Sequence, residues 1–168
     1  SPSVTPSITP TPTPSPSAAN SNCNGALPLP GDSLVYNGVI VTASGNGAVN
    51  TLYPNYAASC AITSQTNTIN LGYPGPLLDF SYTLTFSQPV NNIKLLLTDI
   101  YGITPFIEYF TFTTNIGTPT ILSNDSCYVS ISGNTVTGAG VNGGGTFAIS
   151  APSPYTTLTV TGLSLIHI

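Results

Sequence analysis

The chain has no tryptophan, no methionine and no arginine, and its only basic residues are Lys94 and His167. Without a basic patch it cannot neutralise a phosphate backbone, so nucleic-acid binding is not expected. Attraction to an anionic membrane is not expected for the same reason. A single imidazole, five residues beyond Gly162, leaves no general base for a Ser, Thr or Cys nucleophile. The acids are few: Asp32, Asp79, Asp99, Glu108 and Asp125. Their spacing offers neither a carboxylate pair for hydrolysis nor a calcium-binding loop, so turn and capping roles are expected. No apolar run approaches the ~18 residues of a membrane-spanning helix. No secretory leader is visible, and an opening inside a Ser/Thr/Pro tract suggests a mature or fragmentary product. The three cysteines, Cys23, Cys60 and Cys127, match no zinc spacing. Catalytic residues, metal and cofactor are therefore all expected to be absent, and the chain reads as non-enzymatic.

Hydrophobic residues make up 40% of the chain, so it is not a disordered polyelectrolyte. Residues 1–22 form a Pro/Ser/Thr-rich extended segment, and 23–168 read as one domain; about 145 residues can bury a core of their own. Hydroxyl groups and amides, not charges, supply the surface polarity. That balance is common in secreted and cell-surface β proteins, so an extracellular or cell-surface location is expected.

Within residues 23–168 the apolar period is two almost everywhere, and no window shows a 3.6-residue repeat. Residues 80–86, "FSYTLTF", alternate most clearly: Phe80, Tyr82, Leu84 and Phe86 on one face, Ser81, Thr83 and Thr85 on the other. Further strands are expected over 33–43, 66–72, 90–100, 106–114, 127–131, 134–138, 146–150 and 155–162. The core is expected to be built by Tyr82, Leu84, Phe86, Ile93, Leu95, Leu97, Phe110 and Phe112. Turn signals fall at 87–89 and 133–134, and the stretch "GAGVNGGGT" (138–146) reads as a glycine-rich bend. Without a following Lys it is not a phosphate-binding loop. Short strands between frequent turns predict an all-β fold: an antiparallel β-sandwich of jelly-roll or immunoglobulin-like type.

The run "SYTLTFSQPVNNIKLLLTDI" with the following "FTFTTN" resembles the central strands of secreted bacterial β-sandwich domains. These are pilin- or adhesin-like domains of surface and fibre proteins, often preceded by Ser/Thr-Pro tracts. The resemblance covers residues 80–114 and implies a sandwich and an extracellular setting; it brings no catalytic residues. The terminal "LSLIHI" (163–168) is similar to translated sequencing-adapter read-through, the alternative being an ordinary apolar terminal strand.

Three smaller features bear on assembly. A hairpin centred on Tyr101 would set Lys94 opposite Glu108 as a cross-strand pair. An isopeptide crosslink from Lys94 is the sharper alternative. Cys60 and Cys127 are the preferred disulfide, with Cys127 sharing the parity of Val129 and Ile131; closing that loop would stabilise by about 4 kcal/mol in the chain-entropy model. Asn124 begins the only N-glycosylation sequon, and Thr9, Thr11 and Thr13 are O-glycosylation candidates. Tyr53, Tyr56, Tyr73 and Tyr101, near turns, are candidates for stacking on sugar rings or for packing at loop bases.

The N-terminal tract carries the functional expectation. In "SPSVTPSITPTPTPSPS" every odd position is Ser or Thr and every even one is Pro, Val or Ile. A strand would split it into an apolar and a hydroxyl face, whereas a polyproline helix, with three residues per turn, would mix them. Backbone N–H groups alternate between a strand's two edges, so Pro10, Pro12, Pro14 and Pro16 silence one edge and leave the other able to pair. The expectation is a homo-oligomeric filament in which Val4, Pro6, Ile8, Pro10 and Pro12 contact a neighbouring subunit by strand addition. The competing reading is a carbohydrate-binding or adhesive module on a glycosylated stalk, with glycans as its partners.

Overall fold

A computed structural model describes residues 26–46, 49–53, 68–71 and 78–164. Among the described residues fourteen strands follow one another: β1 (Ser33–Tyr36), β2 (Val39–Asn46), β3 (Val49–Tyr53), β4 (Thr68–Leu71), β5 (Leu78–Val90), β6 (Ile93–Ile100), β7 (Gly102–Ile103), β8 (Phe106–Ile107), β9 (Tyr109–Thr114), β10 (Thr120–Leu122), β11 (Val129–Ser132), β12 (Thr135–Gly138), β13 (Gly143–Ser150) and β14 (Tyr155–Ser164). No helix occurs among the described residues, and every strand pairing is antiparallel. The all-β sandwich expected from the period is the fold found.

Seven strands form one sheet in the order β1-β2-β5-β14-β9-β12-β11. A three-stranded sheet, β10-β13-β6, supplies further core residues, and two short ribbons, β3-β4 and β7-β8, complete the set. The core contains Phe80, Tyr82, Leu84 and Phe86 of β5, Leu158 and Val160 of β14, and Phe110 and Phe112 of β9. Leu95 and Ile100 of β6 and Phe147 and Ile149 of β13 share it. Six of the eight expected core residues are fully buried, and Ile93 and Leu97 are partly buried against the same cluster. Two aromatic pairs in the core, Phe80–Phe110 (5.5 Å between ring centroids) and Phe86–Tyr155 (6.1 Å), meet in tilted and edge-on geometries. Tyr82 reaches across the core and its hydroxyl donates to the Pro28 carbonyl (2.6 Å), fixing the lead-in segment.

Three local readings are corrected. The stretch 33–43 is not one strand: Asn37 (φ 49°) and Gly38 (φ 81°) reverse the chain into the β1–β2 hairpin. Two central residues with positive φ suit the twist of a tight hairpin, which is why Asn-Gly is found there. The glycine run is not a loop but the first part of β13. There Cys127 and Gly144 exchange backbone hydrogen bonds (2.9 and 3.0 Å), and a Cβ on Gly145 would lie 2.7 Å from that of Ser126. Only glycine lets the 126–128 segment lie so close. Finally, β6 carries a bulge: Ile100 pairs Gly143 but Leu97 pairs Gly145, so two residues, Thr98 and Asp99, face one. Asp99 has φ 61°, and after it the inward parity switches from odd to even, burying Ile100.

The outer face of the seven-stranded sheet follows from register alone. Thr42, Thr85 and Thr157 align across β2, β5 and β14, with Ser33 of β1 beside Thr42. The next row is Ser44–Thr83–Thr159–Thr113, and the next Asn46–Ser81–Thr161–Thr111–Thr135–Ser132. Neighbouring hydroxyls hydrogen-bond within these rows: Ser33 with Thr42 at 2.8 Å, Thr83 with Thr159 at 2.9 Å and Thr111 with Thr135 at 2.9 Å.

Candidate functional site

The tract residues Val4, Pro6, Ile8, Pro10 and Pro12, the threonines Thr9, Thr11 and Thr13, and both Cys23 and Cys60 lie outside the described residues. What the structure does describe is the body to which such a tract would attach. The seven-stranded sheet ends in β1 on one side and β11 on the other. Both are four residues long and both expose apolar side chains: Leu34 and Val35 on β1, the latter 66% accessible, and Ile131 on β11. The terminal strand of a sheet presents backbone N–H and C=O groups on its outer side, a template for an added strand. The Cys127 bridge to Gly144 lies immediately before β11.

Lys94 and Glu108 are not cross-strand neighbours. Lys94 stands opposite Ala148 in the β6–β13 pairing, whereas Glu108 leads into β9 of the other sheet. The expected hairpin centred on Tyr101 is replaced by one whose pairs are Gly102–Ile107 and Ile103–Phe106. The bulge at Asp99 and the turn at Thr104-Pro105 move the reversal three to four residues along the chain.

Glu108 instead organises this corner from within. It is 1% accessible. Its Oε2 accepts the Tyr101 N–H at 2.6 Å, and its Oε1 accepts the Ser164 hydroxyl at 2.7 Å. Its own N–H donates to the Tyr101 carbonyl (2.9 Å), and its carbonyl accepts from Gly138 N–H (2.9 Å). One residue thus ties the base of the β7–β8 ribbon to β12 and to the end of β14. Burying a carboxylate is costly unless it is well hydrogen-bonded, and these donors meet that need. Parity contained the signal: the even positions that bury Phe110 and Phe112 also turn Glu108 inward. Ser164, the second residue of "LSLIHI", is buried in β14, and Leu163 pairs both Asp79 and Tyr109.

Around this anchor several apolar side chains stay accessible. Ile103, Phe106 and Ile107 belong to the ribbon and Tyr109 follows it. Gly102 N–H donates to the Gly140 carbonyl, and a Cβ on Gly140 would strike the ring of Tyr128, which is 56% accessible. Among the expected tyrosine candidates, Tyr101 is half-buried, its backbone engaged by Glu108. The side chains of Tyr53, Tyr56 and Tyr73 lie outside the described residues.

Asn124 is exposed in the bend between β10 and β11, a position open to modification. The bend is held by Asp125, whose Oδ1 accepts from Ser123 Oγ (3.0 Å) and from Thr146 N–H (2.8 Å). Partial burial opposes the charge on Asp125, but these hydrogen bonds outweigh it and hold the pKa below the ordinary carboxylate value. Among the described residues no three His, Cys, Asp or Glu side chains gather to hold a metal ion. Nor is any described helix long and apolar enough to cross a membrane.

Comparison with known proteins places no relative beside this chain: no family model, curated protein or solved structure matches it.

Proposed function

We propose that this chain is a non-enzymatic structural subunit of an extracellular fibre or pilus-like filament. Its N-terminal extended segment docks on a neighbouring subunit. The observation that carries the reading is the unbroken alternation of residues 1–17, with proline confined to one parity. Such a segment, laid as a strand, pairs through the N–H groups of Thr9, Thr11, Thr13 and Ser15 and blocks growth on its other edge. Val4, Ile8 and the proline rings would then cover apolar surface. The exposed apolar residues on β1 and β11, the two terminal strands of the large sheet, support it from the receiving side. A segment on one copy and an acceptor on another make a head-to-tail contact that need not close.

Within this reading Cys60 and Cys127 form a disulfide, and Asn124, Thr9, Thr11 and Thr13 carry glycans outside the cell. Peptide mapping without reduction tests the pairing: a linkage of Cys23 to either partner overturns it. Deleting residues 1–17 tests the assembly. Soluble monomers in place of filaments support the docking role, and filaments that persist refute it.

The alternative is a carbohydrate-binding or adhesive module. The exposed rings of Tyr109 and Tyr128 favour it, since an amphipathic aromatic surface suits a partner that is apolar on one side and wet on the other. Retardation of the Δ1–17 chain on a glycan array, lost on Tyr128→Ala, would establish that reading instead.

A further inference from the structure

The two terminal strands of the seven-stranded sheet point opposite parities off its edges. In β2, Ala43 N–H donates to the Asp32 carbonyl (3.0 Å) and its carbonyl accepts from Gly31 N–H (2.8 Å), so its backbone faces the β1 side. Ile40 N–H donates to Ser87 Oγ (2.9 Å), away from β1. Backbone groups alternate along a strand, so Val39 and Val41 also face β1, and Tyr36 and Leu34 opposite them face back. Ser33 and Val35 therefore aim their N–H and C=O groups off the sheet. Ser33 lies on the outer face, its hydroxyl bonded to that of Thr42, and Val35 shares that face. Leu34, opposite the buried Val41, lies on the core face and is still 37% accessible. At the other end the parity is reversed. Gly138 N–H donates to the Glu108 carbonyl and the Asn134 carbonyl accepts from Phe112 N–H, so Thr135 and Thr137 of β12 face β11. Ser132 and Ser130 stand opposite them, and Val129 and Ile131 aim outward. Ile131, opposite the buried Val136, lies on the core face.

Residues 9–15 fit one of these edges and not the other. Their hydroxyl residues keep the N–H groups that can pair, and their prolines fall on the silent parity. In an antiparallel ladder directly opposed residues share a face. Laid against β1, the tract's Thr and Ser residues oppose Ser33 and Val35 and extend the hydroxyl rows of the outer face. The intervening prolines oppose Leu34 on the core face, where Tyr36 also packs against the core. Laid the same way against β11, the hydroxyls would cover Ile131 and the prolines would stand beside Ser130 and Ser132. A parallel strand would exchange these faces at each edge, but every described strand pairing is antiparallel. At β11, moreover, the preceding outward residue, Cys127, is already bonded to Gly144. Resting on the docking reading above, we infer that β1, and not β11, is the receiving edge. Residues 9–15 of a second copy lie antiparallel to it with their prolines on the core side.

Proline substitution separates the two edges. Val35→Pro removes an outward N–H and leaves the β1–β2 ladder its own bonds, a placement that edge strands tolerate. Ile131→Pro does the same on β11. In full chains under filament-forming conditions, Val35→Pro should reduce the sedimenting fraction to that of the chain lacking residues 1–17. Ile131→Pro should leave it unchanged. Filaments that need residues 1–17 yet survive Val35→Pro overturn this inference and leave the docking reading standing. Filaments that form without residues 1–17 overturn the docking reading itself. Hydrogen exchange in filaments of the unsubstituted chain covers the case in which a proline variant does not fold or both variants lose filaments. There the Val35 amide should exchange roughly tenfold or more slowly than the Ile131 amide, its counterpart on the other edge. Equal rates, or slower exchange at Ile131, overturn the inference.

Discussion

The two faces of the seven-stranded sheet are written by the same seven residues and behave as opposites. In "FSYTLTF", Phe80, Tyr82, Leu84 and Phe86 are 5% accessible or less, while Ser81, Thr83 and Thr85 line the outer rows. The difference teaches that stability resides on one parity and surface identity on the other. A chain almost without charge cannot separate its faces by salt bridges, so it separates them by methyl and hydroxyl content. Residues 1–17 carry the same alternation, with proline as the apolar member.

The sharpest way to break the comparison is to remove one inward ring. Phe112, 0% accessible, belongs to the buried cluster, and Phe112→Ala should cost about 3–5 kcal/mol. A urea midpoint displaced by less than the Thr83 variant below would contradict the assignment of faces. Glu108→Ala probes the charge that, among the described residues, is placed on the buried parity. Leaving the Tyr101 N–H and the Ser164 hydroxyl without their acceptor should cost about 1–3 kcal/mol. Hydrogen exchange should rise at the Tyr101 amide while the β5–β14 amides keep their protection.

Alkaline pH tests the buried phenols without mutation. Burial raises both Tyr82 and Tyr155 above the ordinary value of 10, Tyr155 to about 12 despite an opposing backbone hydrogen bond. A raised folded-state pKa means their contribution is fully present below pH 10 and is lost as pH rises through the folded values. Thermal stability should therefore fall from about pH 10 upward, and Tyr155→Phe should flatten that fall. Asp125 acts at the other end with the opposite sign. Its depressed pKa contributes stability above the ordinary carboxylate value that disappears as acid protonates it, and Asp125→Asn should reduce that loss. The smallest effect belongs to the outer face: Thr83→Val should shift stability by no more than about 0.5 kcal/mol, read from the same urea midpoint.

Much of this architecture was legible from residue types. Alternation gave the strands and the core of β5, β9 and β14, because a one-residue slip would have turned Leu84 outward and Thr83 inward. What escaped were the places where the period breaks. The bulge at Asp99 switches parity within β6, and no residue type at 98–99 announces it. Gly143 to Gly145 look like a bend in a sequence, yet they are glycine because another segment lies on them. A hairpin centred on Tyr101 makes Glu108 a cross-strand partner of Lys94, although its parity with Phe110 points inward. The surface of the proposed assembly is harder to read, because which edge would receive a tract depends on strand register and pairing between copies and not on any residue pattern alone.

The most direct measurement of that assembly is an isotope-mixing crosslink. A photo-reactive residue at position 8, in place of Ile8, is carried by chains grown in heavy nitrogen. These are mixed with unmodified light chains under filament-forming conditions, illuminated and digested. Crosslinked peptides should join a heavy tract to a light domain, mapping to β1 or β11 and their flanks. Crosslinks confined to heavy–heavy peptides within single chains, or a tract that captures only solvent, would contradict it.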